Sequence, residues 1–322
     1  MKFPFLLDDR YQVERVFADS GGMGIIYFAR DTRCADNPVL VKTTRYDSGP
    51  RARNLRYTLQ EGVDFITKTR KILEWERKVL VRFRNEGIPN IPSANHWVLA
   101  KSTTLDASYE GRVGAWSVPE EVLNTEPYLV MEMISGAPLE SRMVQPDFRA
   151  NLEENLLTLS REILTILIRM HRPTQIGSSK GIFLYQDLKP ANVIVSGDDY
   201  FSLIDFGATT LKLGEKTTEP TAGCITPGYS APEAGNGREA YIDERFDIYT
   251  LGATLWHAIT LEDPRMKGEF PVLDPDICLK HGCSVNFAAI LRRALARRPD
   301  DRYASAAAMR KDVMEELRRL RA

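Results

Sequence analysis

Only four cysteines occur among the 322 residues, at positions 34, 224, 278 and 283. So few cysteines do not support a disulfide framework, and they favour a reducing compartment. The sequence also has no run of about 18 apolar residues, the length that a membrane-spanning helix requires. Its start, MKFPFLLDDRYQ, lacks the basic segment and the long apolar run of a signal peptide. These absences predict a cytoplasmic protein without a membrane span.

An excess of charge of either sign is absent as well, because 43 lysines and arginines are matched by 44 aspartates and glutamates. A balanced charge gives no attraction to nucleic acid or to an anionic membrane, so we expect neither as a partner. Cys278, His281 and Cys283 lie close together, but no second cluster of Cys or His completes four ligands. We therefore expect no metal site there.

The pattern of apolar residues changes along the chain from strand-like to helix-like. The first third alternates turns with the β-rich runs YQVERVF, GIIYFARD and PVLVKTT, which predict an antiparallel sheet. Apolar residues at helical spacing, including Leu73 and Leu80, predict a helix over 59–84. The run YLVMEMI predicts a buried strand over 128–134, followed by a hinge near Gly136. Further helices are predicted over 152–171, 244–261, 286–297 and 305–320.

One stretch, YQDLKPANVIV, ends at Val195 and is followed by the segment SLIDFGA. In order, the two contain a carboxylate, a lysine, an asparagine and a second carboxylate: Asp187, Lys189, Asn192 and Asp205. Phosphoryl transfer from ATP requires groups of these kinds. Together with SGGMG, TPGYSAPE and DIYTLGATLWH, these motifs resemble the eukaryotic-like (Hanks-type) Ser/Thr protein kinases of bacterial type.

The resemblance covers nearly the whole chain and implies a single protein kinase domain over 1–322. The implied fold is α+β and bilobal, with a small antiparallel β-rich N-lobe that has one main helix, and a larger α-helical C-lobe. The expected lobes are 1–133 and 134–322, and the N-lobe carries insertions near 45–72 and 99–126. Many such kinases continue into a membrane span and a sensor domain, whereas we expect this chain to end after its last helix.

The resemblance also implies the roles of the residues that perform the chemistry. Asp187 stands where the family has the base that orients the substrate hydroxyl and accepts its proton. Lys189 stands where a lysine neutralises charge on the transferring phosphoryl group. Thr226 stands where kinases that act on Ser or Thr have a threonine whose hydroxyl reaches the catalytic aspartate and lysine. Asn192 and Asp205 stand where the family binds Mg²⁺, with Mn²⁺ as a substitute.

A glycine-rich turn precedes the second predicted strand. Cradling a triphosphate requires backbone amides that no side chain obstructs, and SGGMGIIYFARD supplies Gly21, Gly22 and Gly24. On their own, these glycines are a weak signal that a plain hairpin turn explains better. The family spacing G-x-G-x-x-G would place its first glycine at Asp19, so that glycine is missing.

The remaining ATP contacts are implied by position. Lys42 stands where the family has the lysine that contacts the α and β phosphates, held by a glutamate on the next helix. We predict that this glutamate is Glu76, with Glu74 and Glu61 as alternatives. An adenine site is implied at a further set of residues: Ile26, Leu40, Met131, Glu132, Ile134 and Ile194.

Three departures from the family pattern bear on activity. Besides Asp19, Leu40 replaces an alanine that would touch adenine, and Gln186 replaces an arginine. That arginine usually gathers the phosphate of a phosphorylated activation loop, the activation segment, which in this chain follows Gly207 and ends in SAPE at Glu233. A neutral glutamine cannot form the bidentate charged pair. We therefore predict that phosphorylation of the activation loop is not required to order the site.

Three functional readings follow from these residues. The leading one is a Ser/Thr protein kinase that depends on Mg-ATP. The departures favour a pseudokinase or a nucleotide-binding signalling scaffold. That interpretation is opposed by the retention of Lys42, Asp187, Asn192 and Asp205. A kinase of small molecules is opposed by the SAPE platform, which implies protein substrates.

The expected partners are proteins with Ser or Thr hydroxyl groups, and the chain itself is one candidate. The basic stretch from RYDSGPRARN to KILEWERK predicts either a solvated helix face or a docking site for an acidic regulator. Structural roles are expected elsewhere: Glu233 pairs with Arg302, and Asp247 anchors the catalytic loop together with Gly252. Tyr185 is expected to stack beneath the phenylalanine of SLIDFGA.

Overall fold

The computed structural model divides the chain into two compact units. Unit 1 comprises Met1–Arg82 and Pro92–Met133, and unit 2 comprises Phe83–Ile91 and Ile134–Ala322. The described residues are 3–18, 24–44, 59–103, 110–111, 114–115, 119–197, 200–214, 216–218, 226–236 and 242–322. Within them, strands dominate unit 1 and helices dominate unit 2, which confirms the predicted α+β class.

Unit 1 is built on an antiparallel sheet. Its strands in the described residues are β1 (Phe5–Leu7), β2 (Tyr11–Ala18), β3 (Gly24–Asp31), β4 (Asn37–Thr44), β5 (Ala94–Ala100), β6 (Glu110–Gly111), β7 (Gly114–Ala115) and β8 (Glu126–Glu132). Six of them form one sheet in the order β1-β2-β3-β4-β8-β5, and β6 pairs with β7 alone. Two helices, α1 (Leu59–Asn85) and α2 (Glu120–Asn124), complete this part of the chain.

Burial follows the period of each element in unit 1. Along β2, Tyr11 and Val13 are buried while Gln12 is exposed, as expected of a sheet with one covered face. On α1, Leu73 and Leu80 are buried and lie seven residues apart, so they share one face of the helix. The predicted helix is therefore confirmed, and it ends one residue later than expected.

Unit 2 is mainly helical. Its helices are α3 (Leu139–Arg142), α4 (Pro146–Ala150), α5 (Leu152–Met170), α6 (Glu244–Thr260), α7 (Ile277–Lys280), α8 (Val285–Ala294) and α9 (Ala306–Leu320). Short 3-10 helices occur at Pro190–Asn192, Pro232–Asn236, Pro264–Lys267 and Pro299–Asp301. Across the part of the chain that the structure describes, no helix is both long and apolar enough to span a membrane.

Two small sheets in unit 2 flank the predicted catalytic loop. The strands are β9 (Ala137–Pro138), β10 (Thr174–Ile176), β11 (Ser179–Leu184), β12 (Val193–Ser196), β13 (Tyr200–Leu203), β14 (Thr210–Leu213) and β15 (Lys216–Thr218). One sheet has the order β10-β11-β14-β15 and the other β13-β12-β9. The loop from 185 to 192 therefore begins at the end of β11 and leads into β12.

The largest differences between predicted and observed element boundaries concern β8 and α8. β8 begins at Glu126 and ends at Glu132, each two residues before the predicted bound, and its first two residues pair with Leu99 and Ala100 of β5. α8 ends at Ala294, three residues before the predicted end. Arg298 is extended, as a residue before proline prefers, so the helix cannot continue into Pro299.

Buried contacts join the helices beneath the loop. α6 is buried almost all round, and a Cβ added at Gly252 would lie 3.1 Å from the Ala294 Cβ on α8. Glycine at this position therefore allows the two helices to approach closely. Arg302 forms a bidentate ion pair with Glu233 at 2.7 Å and 2.8 Å, and its Nε donates to the Ala296 carbonyl oxygen at 2.7 Å. The predicted Glu233–Arg302 pair is confirmed.

Breaking that pair is expected to destabilise unit 2. Arg302→Met leaves the Glu233 carboxylate without its buried partner, which should lower the free energy of unfolding by about 3–5 kcal/mol. The matched control is Arg142→Met, which breaks the exposed pair with Asp147 and should cost less than about 1 kcal/mol. Denaturant unfolding measures both changes, and equal costs would contradict the structural role of Arg302.

Candidate active site

The loop that follows β11 is held by a buried carboxylate on α6. Asp247 is fully buried, and its oxygens accept the backbone N–H groups of Tyr185 at 2.9 Å and Gln186 at 2.8 Å. His171, at the end of α5, contacts the same carboxylate through Nε2 at 2.9 Å. Gln186 has a φ of 67°, a conformation that residues other than glycine rarely adopt. The predicted anchoring of this loop by Asp247 is confirmed.

Three donors converge on the next residue, Asp187. Lys189 Nζ lies 2.7 Å and 3.0 Å from its carboxylate oxygens, and the Thr226 hydroxyl donates to Oδ1 at 2.5 Å. The Asn192 amide nitrogen donates to Oδ2 and to the Asp187 carbonyl oxygen, both at 2.8 Å. Lys189 also donates to the Thr226 hydroxyl at 3.2 Å. Four of the residues predicted for the site therefore lie together in unit 2.

This cluster has the chemistry of a proton acceptor beside a cation. A carboxylate aimed by fixed donors can take a proton from a hydroxyl that comes within about 2.6–3.2 Å. The neighbouring ammonium group stabilises negative charge that develops close by. The Asp187 side chain is 11% exposed and that of Lys189 is 23% exposed. Both groups are therefore held by the protein and yet remain reachable by a substrate.

The segment SLIDFGA places a second carboxylate after β13. Asp205 has a φ of 60°, and its Oδ1 lies 3.4 Å from the Gly207 backbone nitrogen. Phe206 is fully buried, and its ring meets Tyr185 edge to face with centroids 5.3 Å apart, and Phe83 at 5.7 Å. Tyr185 therefore packs against Phe206 as predicted, and this core contact fixes the backbone beside Asp205.

Asn192 and Asp205 are suited to hold a divalent cation. The Asn192 amide nitrogen is engaged by Asp187, which leaves its amide oxygen as the ligand atom. The Ile204 N–H donates to the Asn192 carbonyl oxygen at 2.9 Å and so keeps the two chain segments adjacent. An amide oxygen and a carboxylate are hard donors that suit Mg²⁺ or Mn²⁺, which take further ligands from phosphate and water.

Other metal-binding groups are not assembled in the described residues. Over those ranges, no set of three or more His, Cys, Asp or Glu side chains is arranged to hold a metal ion. Burial raises the pKa of the Cys278 thiol to about 11 and that of Cys283 to about 12. Thiols that stay protonated at neutral pH are poor metal ligands. Burial therefore favours the protonated form of both thiols.

In unit 1, Lys42 on β4 is paired with Glu76 on α1. Lys42 Nζ lies 2.8 Å and 3.1 Å from the two carboxylate oxygens, and the side chains are 13% and 3% exposed. Glu74, one alternative, pairs instead with Lys78 at 2.7 Å on an exposed face of the helix. The side chain of Glu61, the other alternative, lies outside the described residues. Glu76 is thus the glutamate that contacts Lys42.

Several residues predicted to contact adenine lie on adjacent strands of the same sheet. Ile26 on β3 is opposite Lys42, and Leu40 on β4 is opposite Met131 on β8. Glu132 ends β8 and is exposed. These positions lie on β3, β4 and β8, which are neighbours in the six-stranded sheet of unit 1.

The glycine-rich turn is described only at its end. A Cβ added at Gly24 would lie 3.2 Å from the Lys42 Cε, so the glycine leaves room for the stem of the lysine. Gly21, Gly22 and Asp19 lie outside the described residues. The two remaining residues that are predicted to contact adenine, Ile194 and Ile134, belong to unit 2. Ile194 on β12 is buried and lies opposite Pro138, and Ile134 is half-buried.

Two contacts beside the cluster were not expected from the sequence. Gln186 Nε2 donates to the Thr210 hydroxyl on β14 at 2.8 Å. Tyr229 and His257 are both buried, and the Tyr229 hydroxyl lies 2.5 Å from His257 Nδ1. The sequence carries no signal for either contact, because the partners are 24 and 28 residues apart and each side chain can bind many others.

These geometries agree with a comparison against known families. The family model described as Protein kinase domain matches residues 113–314, which is more than half of the chain. The chain therefore belongs to the protein kinase family. Membership implies the use of ATP and a divalent metal, as is general in this family.

Curated relatives point to the same group of bacterial kinases. The chain is 27% identical to Serine/threonine-protein kinase PknB of Mycobacterium tuberculosis, over 98% of this chain and 44% of the relative. It is 29% identical to Probable serine/threonine-protein kinase SCO3848 of Streptomyces coelicolor, over 97% of this chain and 41% of the relative. The predicted resemblance to bacterial Ser/Thr kinases is confirmed. The chain spans less than half the length of these two relatives.

Acidification is expected to destabilise the protein through His257. Burial lowers the pKa of His257, and Arg265 lowers it further, against the opposing charges of Asp263 and Glu140. The unfolded chain takes up this proton near its ordinary value of about 6.5, whereas the folded chain does so only at lower pH. The free energy of unfolding should therefore fall as the pH drops through this window.

Urea unfolding at about pH 7.5 and about pH 5.5 measures this loss. His257→Asn removes the titrating group, so its loss of stability over the interval should be smaller than that of the wild type. His281→Asn, at an exposed position after α7, is the matched control. Equal losses in wild type and His257→Asn would contradict the assignment.

Proposed function

We propose that this chain is a Ser/Thr protein kinase that transfers the γ-phosphoryl group of ATP to serine and threonine hydroxyl groups of proteins. The observation that carries the proposal is the convergence of Lys189, Asn192 and Thr226 on the Asp187 carboxylate. A purely structural carboxylate has no need to stay partly exposed beside a cation, whereas proton abstraction at a fixed place does. The same cluster argues against the pseudokinase alternative.

Asp187 acts as the base under this proposal. It orients the acceptor hydroxyl and takes its proton as the hydroxyl oxygen bonds to phosphorus and the bond to the leaving ADP breaks. Lys189 stabilises negative charge on the transferring group. The Thr226 hydroxyl contacts both Asp187 and Lys189. It therefore connects the activation segment to the base. Catalysis then rests on positioning and charge stabilisation.

Asn192 and Asp205 hold the divalent metal, and the chemistry of their oxygen atoms supports Mg²⁺ first and Mn²⁺ second. When bound, Mg-ATP supplies the γ-phosphoryl group, and the metal neutralises part of its charge. Lys42 binds the phosphates, and Glu76 holds Lys42 in place through the 2.8 Å ion pair. Leu40, larger than the alanine usual at its position, narrows the space beside adenine.

The other ATP contacts are proposed from position on the strands. Backbone amides of Gly21, Gly22 and Gly24 cradle the phosphates, and apolar side chains enclose the adenine. The adenine-binding set comprises Ile26, Leu40, Met131, Glu132, Ile134 and Ile194. Residues 1–322 form one kinase domain under this proposal, with an N-lobe at 1–133 and a C-lobe at 134–322.

The proposed partners are protein substrates, with the chain itself as one of them. An acidic regulator is proposed for the basic stretch near 45–72, much of which lies outside the described residues. A cytoplasmic location is proposed as well. It is supported by three cysteines, Cys34, Cys278 and Cys283, which form no disulfide in the described residues, as expected in a reducing compartment.

The activation segment is proposed to be ordered without phosphorylation. Gln186 binds Thr210 at 2.8 Å through neutral groups, where the family pattern has an arginine that gathers phosphate. β14 is hydrogen-bonded on one side to β11 and on the other to β15. Lys212 donates to the Ile242 carbonyl oxygen at 2.7 Å. These contacts hold the start of the segment with no need for an added charge.

The central test of the proposal is phosphate transfer by the purified protein. Labelled γ-phosphate from Mg-ATP should appear in a generic basic protein substrate, and Asp187→Ala should lower the rate by about 100-fold or more. A panel of metabolites assayed in parallel tests the small-molecule alternative. Transfer to a metabolite but not to protein would reject a protein kinase, and equal transfer by Asp187→Ala would reject Asp187 as the base.

A second test concerns the activation segment. Separate alanine variants of Thr217, Thr218 and Thr221 are expected to keep wild-type activity, because no phosphate is needed there. Thr221 and the side chains of the other two lie outside the described residues. Thr226→Ala should lose activity even in phosphatase-treated protein, because its hydroxyl contacts Asp187 and Lys189. A large, phosphate-dependent loss at any of the first three would contradict the proposal.

A further inference from the structure

Arg70 and Glu126 form a buried ion pair in unit 1. Arg70 Nη2 lies 2.5 Å from Glu126 Oε2, and the side chains are 16% and 0% exposed. Arg70 belongs to the expected insertion near 45–72, and Glu126 ends the one near 99–126. The two insertions are thus joined by a contact that is shielded from water, where losing one partner is costly.

Glu126 also binds β4 immediately beyond Lys42. The hydroxyl groups of Thr43 and Thr44 both contact Glu126 Oε1, that of Thr43 at 3.1 Å. Thr44 lies on the same face of β4 as Lys42, about 7 Å further along the strand. The carboxylate therefore connects Arg70 on α1 to the part of β4 that carries Lys42.

Further acceptors for Arg70 lie at the end of α2. Arg70 Nη2 donates to the Val122 carbonyl oxygen at 2.9 Å, and Nη1 lies 3.4 Å from the Thr125 hydroxyl. The Leu123 carbonyl oxygen accepts the Ser102 N–H at 2.6 Å, just beyond β5. The second insertion thus supplies acceptors for the Arg70 guanidinium group and is itself hydrogen-bonded to the chain just beyond β5.

As a result, α1 is attached to β4 at two places. Glu76 binds Lys42 directly, and Arg70, about 9 Å away along the helix, binds β4 through Glu126. A single attachment leaves a helix able to turn about it, whereas two attachments fix its rotation. We infer that the Arg70–Glu126 pair is a positioning clamp that holds α1 so that Glu76 meets Lys42. The inference rests on the proposed function in so far as Lys42 binds ATP.

Stability alone accounts poorly for this pair. Removing two charges from water costs about as much as their attraction returns, and apolar side chains often serve a core equally well. The same helix also carries the Glu74–Lys78 pair, whose side chains are exposed, in contrast to those of Arg70 and Glu126. A buried charge pair that also contacts four further polar groups, on Thr43, Thr44, Val122 and Thr125, specifies one orientation of the helix. Apolar packing does so less strictly.

The test measures how fast an amine-acylating reagent modifies Lys42, with the modified residue identified by mass spectrometry. An ammonium group held by a carboxylate reacts slowly, because it must lose its proton and its partner first. Glu76→Gln removes that partner and sets the upper limit of the rate. Glu74→Gln breaks only the exposed pair on the same helix and is the matched control.

Arg70→Met is expected to raise the acylation rate of Lys42 about tenfold, to the level of Glu76→Gln. Glu74→Gln should keep the wild-type rate. Because Arg70→Met removes an ionic partner of the buried Glu126 carboxylate, it also lowers Tm. The double variant Arg70→Met with Glu126→Gln removes both charges and should recover Tm while keeping the fast rate. A merely stabilising pair would instead recover the slow rate together with Tm, and that result would overturn the inference.

Kinase assays examine the same clamp through the proposed function. Arg70→Met should lower kcat/KM for ATP about tenfold and cause no further loss when Glu76→Gln is already present, because both act on one pair. Losses that multiply would overturn the inference. Acylation requires no phosphoryl transfer, so an inactive wild type would reject the proposed function, while the labelling rates would still decide for or against the clamp.

Discussion

The buried carboxylate of Asp247 is the constraint on which the rest of the site depends. It accepts the backbone N–H groups of Tyr185 and Gln186 and holds Gln186 at a positive φ, so the chain turns where Asp187 must be presented. Without that acceptor, the buried N–H of Tyr185 and the partly buried N–H of Gln186 would lose their partner, at a cost comparable to a hydrogen bond each. The position of Asp187 is thus determined by α6, a helix that contributes no group to the chemistry.

In each unit, neighbouring polar or charged side chains hold one functional side chain in position. Lys189 and Asn192 aim Asp187 in unit 2, and Glu76 aims Lys42 in unit 1. Positioned charge of this kind costs no reorganisation during a reaction, and it is the main means by which protein groups assist phosphoryl transfer. The neutral contact of Gln186 with Thr210 supports the proposal that the activation segment is ordered without a phosphate.

Much of the fold and of the site can be predicted from the local spacing of residues. The rest depends on contacts between residues far apart in the sequence, which local spacing does not identify. The spacing of Leu73 and Leu80 locates α1 and places Glu76 rather than Glu74 toward Lys42. Periodicity shows which face of a helix is buried, but it does not show which distant side chain a charged residue on that helix pairs with. In the sequence, Arg70 is one residue of a basic stretch that predicts either a solvated helix face or a docking site, whereas in the structure its partner Glu126 lies 56 residues away and is fully buried.

Binding of Mg-ATP to Asp187→Asn and Asp205→Asn, measured by calorimetry beside a transfer assay, tests the division of roles most directly. Asp187 is assigned to the acceptor proton and Asp205 to the metal, so the two variants should fail differently. Asp187→Asn is expected to bind Mg-ATP as tightly as the wild type and to transfer almost no phosphate, whereas Asp205→Asn should lose metal-dependent binding. Transfer at the wild-type rate by Asp187→Asn, or equal loss of binding in both variants, would contradict the account.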